Sequence, residues 1–279
     1  CANLKVEKLK IKELKKHYKT EIKIEKKLYR KGKRERRLEH RKRLDELHNQ
    51  YIEDYGKRVA ERGKRLPINP PKRAILEEIG NAVSHGVGSV LSVIGLILML
   101  IYSDTAAETA SAAIYFSGLF IMFTMSCLYH SFPHGSRVKR IFRRFDYSCI
   151  YLLIGSTFAP ILLSFIGGVF GLVFFIIQWV IIITGITLVS VFGPERLKFL
   201  NTPMYVILGW CAILLLPKMF GEDIRLALFI LGGGVVYSVG IIPFAMKSRV
   251  AHFIWHLFVM AGAALQWVGI FLSIYLPVH

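Results

Sequence analysis

The chain has 279 residues, 53% of them hydrophobic, and carries 37 Lys and Arg against 19 Asp and Glu. Residues 1–74 hold 26 of the basic and 11 of the acidic side chains. The rest is an apolar body almost free of charge, which excludes a uniform soluble globule, while the 13% of aromatic residues excludes wholesale disorder.

The first 74 residues read as a basic arm, helical or partly disordered. Leu4, Ile11, Leu14, Tyr18 and Ile22 form one narrow apolar stripe at helical spacing, and Leu44, Leu47, Tyr51 and Tyr55 form a second. The simplest role for such an arm is a solvated charged face that helps set membrane topology. Contact with anionic lipid is the next reading, because the arm is tethered to the membrane by its own chain. No nucleic acid is expected, since no recognised reading motif is present. Leu66-Pro67, Pro70 and Pro71 end the arm. The arm contains no apolar run of secretory length, and the start at Cys1 reads as a trimmed end.

Residues 75–279 read as an all-α, integral membrane bundle of seven transmembrane helices. A stretch of about 20 apolar residues spans the hydrocarbon core. Such stretches are predicted at 79–102, 111–132, 147–166, 169–192, 200–217, 224–246 and 251–276. Turn residues separate them: Pro133 to Gly135, Gly167-Gly168, Gly193-Pro194, Gly221 and Met246 to Arg249. Gly167-Gly168 is the least polar joint, and losing it would leave six spans. Pro160 and Pro243 are expected to kink their helices. Gly86 and Gly88 are expected to admit close helix packing, and Cys127, Cys149 and Cys211 to pack as small apolar residues. Four scattered cysteines in all argue against a disulfide scaffold.

Orientation follows from the basic residues. With the arm in the cytoplasm, 35 of the 37 Lys and Arg lie inside and only Lys218 and Arg225 outside. The expected location is the plasma membrane, with the amino terminus inside and His279 outside. The Arg137-to-Arg144 cluster is read as an orientation signal.

Ionisable groups within spans are costly, so each is a candidate for function. His130, Asp146, His252 and His256, with Glu78 and His85, all fall in the cytoplasmic half of the predicted bundle. His252 and His256 stand four residues apart, on one helix face with about 6 Å of rise between them. With His130 they supply three imidazoles and leave a fourth position open, a catalytic rather than a structural zinc pattern. Ser126 lies one turn before His130, on the same face. Asp146 is either a fourth ligand or a group that orients a water. His85 is expected to hydrogen-bond within the bundle, and His134 to be solvated.

Three stretches resemble the hemolysin III family, within the progestin and adipoQ receptor superfamily. They are Glu77-Glu78-Ile79-Gly80-Asn81-Ala82-Val83-Ser84-His85-Gly86-Val87-Gly88; Ser126-x3-His130 followed by Asp146-Tyr147-Ser148-Cys149-Ile150-Tyr151 and Gly155 to Pro160; and His252-x3-His256. Tyr147 departs from the histidine that follows the aspartate in many members, and the arm lies outside the shared core. The resemblance implies a seven-helix bundle with one Zn2+ near the inner leaflet. It matches His130, His252 and His256 to the ligands, and Ser126 and Asp146 to the residues around the water. It further implies a membrane hydrolase of acyl-lipid amides or esters. The alternatives are a pore-forming hemolysin, or a receptor or scaffold with structural zinc.

Overall fold

Among the described residues every regular element is helical. The computed structural model describes residues 2–29, 34–60, 70–246, 248 and 250–276. Leu66, Pro67, Lys247, Arg249, His279 and the side chain of Leu4 lie outside the described residues. The chain divides into two compact units, 1–68 and 69–279.

The first unit is a hairpin of α1 (Ala2–Tyr29) and α2 (Arg34–Ala60). Its two apolar stripes bury each other. Tyr18 is 6% and Leu47 7% exposed, and the Tyr18 ring meets Tyr51 edge-on at 5.5 Å. His40 pairs with Glu25 at 2.8 Å, and Lys15 lies over the Tyr55 ring. The Lys and Arg are left on the outside: Lys12, Lys15, Lys16, Lys19, Lys23 and Arg41 to Arg43 are exposed. A stripe buried in this way is not available for insertion into a bilayer.

The second unit holds seven helices long and apolar enough to cross a membrane. They are α3 (Ile75–Ile101), α4 (Ala106–Ser131), α5 (Arg137–Ala159) with a wide turn over Pro160–Ile166, and α6 (Gly168–Phe192). The fifth span runs through α7 (Lys198–Trp210), a tight turn over Cys211–Leu215 and α8 (Leu216–Glu222). The last two are α9 (Ile224–Ala245) and α10 (Ala251–Ile270), the latter finishing in a wide turn to Tyr275. Polarity is reversed from that of a soluble globule. Phe199 is 91% and Leu76 82% exposed, while Asn81 and Ser156 are fully buried. Lipid can take the apolar faces, so polar groups collect inside the bundle.

Local chemistry accounts for the breaks. Proline at 160 lacks the donor for an ordinary turn, and the backbone widens there until Gly167 and Gly168, at φ of 63° and 61°, reverse the chain. That joint separates two full spans, so the count is seven. Gly221 lies inside α8, and the break comes at Asp223, which caps α9. The third span starts ten residues before its predicted bound. Ser136 caps Lys139 N, so the basic run is helical and Asp146 sits past the second turn of α5.

α3 packs on α4, α4 on α5 and α5 on α6, while α10 packs on both α9 and α3. A Cβ at residue 88 would stand 2.8 Å from the Phe123 ring, so Gly88 lets α3 approach α4; Gly86 has ordinary room. α7 touches α5 and α9 more sparingly. The space left between these helices and α10 is the cavity described next.

Candidate metal centre

Three helix ends meet at one end of the bundle, the start of α3, the end of α4 and the start of α10. On α3, Glu77, Asn81, His85 and Gly88 form a buried stripe at steps of four, four and three, the period of one helix face. On α4 the same face carries Met122, Ser126 and His130. His252 and His256 occupy the first two turns of α10.

His130, His252 and His256 offer ligand nitrogens that all lie within 4.8 Å of one another, and the group could hold a metal ion. The Nε2 atoms of His252 and His256 are 3.2 Å apart. Two nitrogens sharing a tetrahedral zinc at about 2.0–2.1 Å stand roughly 3.3–3.4 Å from each other, so this pair is already at sharing distance. The His130 ring centroid lies 4.7 Å from that of His256 and 5.2 Å from that of His252. His130 Nε2 is buried without a hydrogen-bond partner, as a ligand atom directed at an ion would be. The donor set and the orphaned nitrogen fit a zinc ion.

Asp146 lies outside this group of three, but it lines the same cavity as Ser126, His252 and His256. The cavity has a volume of about 150 Å³. From the histidines it runs past Tyr147, Ile154 and Phe158 of α5, Val206 of α7 and Ile241 of α9. Ser126 is 1% exposed.

Several expectations need correction. His85 makes no hydrogen bond through either ring nitrogen; it stacks on His256 at 3.8 Å and lines the cavity. His134, by contrast, is exposed as expected of a solvated residue, and lies 3.0 Å from the carbonyl of Pro70. The basic cluster is more than an orientation signal. Lys139 is 1% exposed and pairs with Glu78 at 3.0 Å, and Arg143 pairs with Glu195. A buried ammonium and a carboxylate at its side are each expensive alone, but with Lys139 outside every predicted span the sequence carried no signal that the two belong together. Cys149 joins the apolar core and Cys127 is half-buried, both as free thiols.

The family described as Haemolysin-III related matches residues 73–267, the bundle without the arm. The chain is 36% identical over 200 residues to Hemolysin-3 of Bacillus cereus, covering 69% of this chain and 89% of that protein. It is 33% identical over 196 residues to the Hemolysin-3 homolog of Bacillus subtilis (strain 168), covering 68% and 91%. It is also similar to the human Monocyte to macrophage differentiation factor, 28% identical over 219 residues, covering 76% and 90%. With its seven membrane-spanning helices, this chain belongs to the haemolysin III family, within the progestin and adipoQ receptor superfamily.

Proposed function

We propose that this protein is a membrane-embedded zinc hydrolase of acyl-lipid amides or esters. The carrying observation is the convergence of three imidazoles, two of which, His252 and His256, line a cavity walled largely by apolar side chains. Polar chemistry at the mouth of an apolar cavity suits a substrate with a polar linkage and a hydrocarbon tail. When bound, zinc supplies a Lewis acid that polarises a carbonyl and lowers the pKa of a coordinated water towards about 7.

The chain's own residues do the rest. His130, His252 and His256 hold the ion. Asp146 accepts the proton of the attacking water and passes it to the leaving amine or alcohol as the acyl bond breaks. The Ser126 hydroxyl orients that water, and the apolar wall of α5, α7 and α9 takes the acyl chain and excludes bulk water. The test is release of fatty acid from acyl amides and esters by the purified protein, with and without a zinc chelator. Release that depends on zinc supports the proposal; a protein that contains zinc yet releases nothing from either class overturns it.

The names of the bacterial relatives favour a second reading, cytolysis by pore formation. Leakage of vesicle contents caused by the reconstituted protein, without fatty acid release, would decide for it. The charge asymmetry supports an orientation with the arm inside, and the plasma membrane is the location we propose. There the outward Lys and Arg of the hairpin meet anionic lipid by charge alone, because its apolar stripe is spent within the hairpin.

A further inference from the structure

Beside the three histidines lies a pair of charges, Lys139 buried and Glu78 partly so, that the proposed chemistry does not use. Glu78 of α3 holds two partners at once. Its Oε2 is hydrogen-bonded to His130 Nδ1, and its Oε1 lies 3.0 Å from Lys139 Nζ. A carboxylate only accepts, so the shared proton sits on Nδ1 of His130 and leaves the orphaned Nε2 with its lone pair free. The Asn81 amide stands 3.3 Å from the same Nδ1. Lys139 is saturated in turn. Its Nζ donates to the carbonyls of Tyr129 at 3.1 Å and Phe132 at 3.0 Å, at the end of the helix that carries His130. The Lys139 ammonium therefore compensates Glu78 and ties α5 to the terminus of α4.

We infer that Glu78, backed by Lys139, is the positioning residue of the metal centre: it fixes the tautomer and ring orientation of His130. The inference rests on the zinc reading above and adds to it a residue that is not itself a ligand. Carboxylates that hold a ligating histidine raise its basicity, and losing one commonly lowers metal affinity about 10–100-fold. His252 and His256 lie on a single helix, so His130 is the ligand that must be held from elsewhere.

The experiment measures zinc affinity of the full-length protein in detergent by competition with a chromophoric chelator, and the absorption spectrum after cobalt substitution. Glu78→Ala is expected to weaken zinc binding about 10–100-fold and to alter the cobalt bands. Glu78→Gln keeps an uncharged acceptor within reach and is expected to lose about tenfold, at the lower end of that range; it carries the test if the alanine variant fails to fold. The double variant Glu78→Ala/Lys139→Met removes both charges. It is expected to stay weak, because the defect lies in His130 and not in a stranded ammonium. Wild-type affinity with an unchanged cobalt spectrum in the Glu78 variants overturns the inference alone, as does recovery in the double variant. A wild-type protein that takes up no zinc overturns the zinc reading and this inference with it.

Discussion

His252 and His256 bring their Nε2 atoms to 3.2 Å across one turn of α10. Two imidazoles held so close gain little as a single weak hydrogen bond and much as joint ligands. His130→Ala, His252→Ala and His256→Ala are each expected to strip the metal. Elemental analysis of purified protein checks this: about one zinc per chain in the parent and little in each variant.

Asp146 lies outside the group of three but on the same cavity. Asp146→Asn is therefore expected to retain most of the zinc while lowering turnover of an acyl-lipid substrate about 10²–10⁴-fold. If this variant lost zinc as fully as the histidine variants, the aspartate would be a ligand, the site would be closed at four, and structural zinc would be the better reading.

All candidate ligands lie beyond the arm. Replacing residues 1–74 by a short basic stub is expected to leave zinc content unchanged. In the full protein, arm contact with lipid should be electrostatic. Trypsin cleavage of the arm is expected to be slower in anionic than in zwitterionic nanodiscs at low salt, and the difference should vanish towards 1 M salt, where the Debye length is about 3 Å. Protection that survives high salt would point to insertion, which the buried stripe disfavours.

From the charge distribution we propose that the arm faces the cytoplasm and the far terminus the outside. A reporter fused after His279 is expected to be active only if it functions outside the cytoplasm. Activity of a strictly cytoplasmic reporter at that position would reverse the orientation.

Asp223 caps α9 through Arg225 N at 2.8 Å and also accepts from Arg225 Nη2 at 2.9 Å. The hydrogen bond from Arg225 holds its carboxyl down, at about 2. A depressed carboxyl stabilises the fold above its unfolded value, near 3.9, and loses that contribution as pH falls through the folded value. Thermal unfolding of the parent should therefore be flat in this term above about pH 5 and weaken between about pH 4 and 2. Asp223→Ala should cost about 1 kcal/mol at neutral pH and flatten that acid limb.

The sequence alone determined the membrane class, the number of spans and the three histidines that the structure brings together. Each rests on short-range regularities: runs of apolar residues, glycine joints, and i, i+4 spacing on one face. It also contained both stripes of the arm, yet not that they would bury each other, since any apolar stripe is equally ready for lipid or for another helix. The bounds of the third span were missed for a related reason. Arg137 to Arg144 are too charged for an apolar window, but a capped helix can carry such side chains at its end.

Only the tertiary structure decided which charges meet. Glu78 and Lys139 are 61 positions apart, and nothing local couples them. Their pairing, the tautomer it imposes on His130, and the stacking of His85 on His256 depend on how α3, α4, α5 and α10 cross. Helix crossing is set by side chains packed across the bundle, Gly88 against Phe123 among them, and no window along the chain contains both partners.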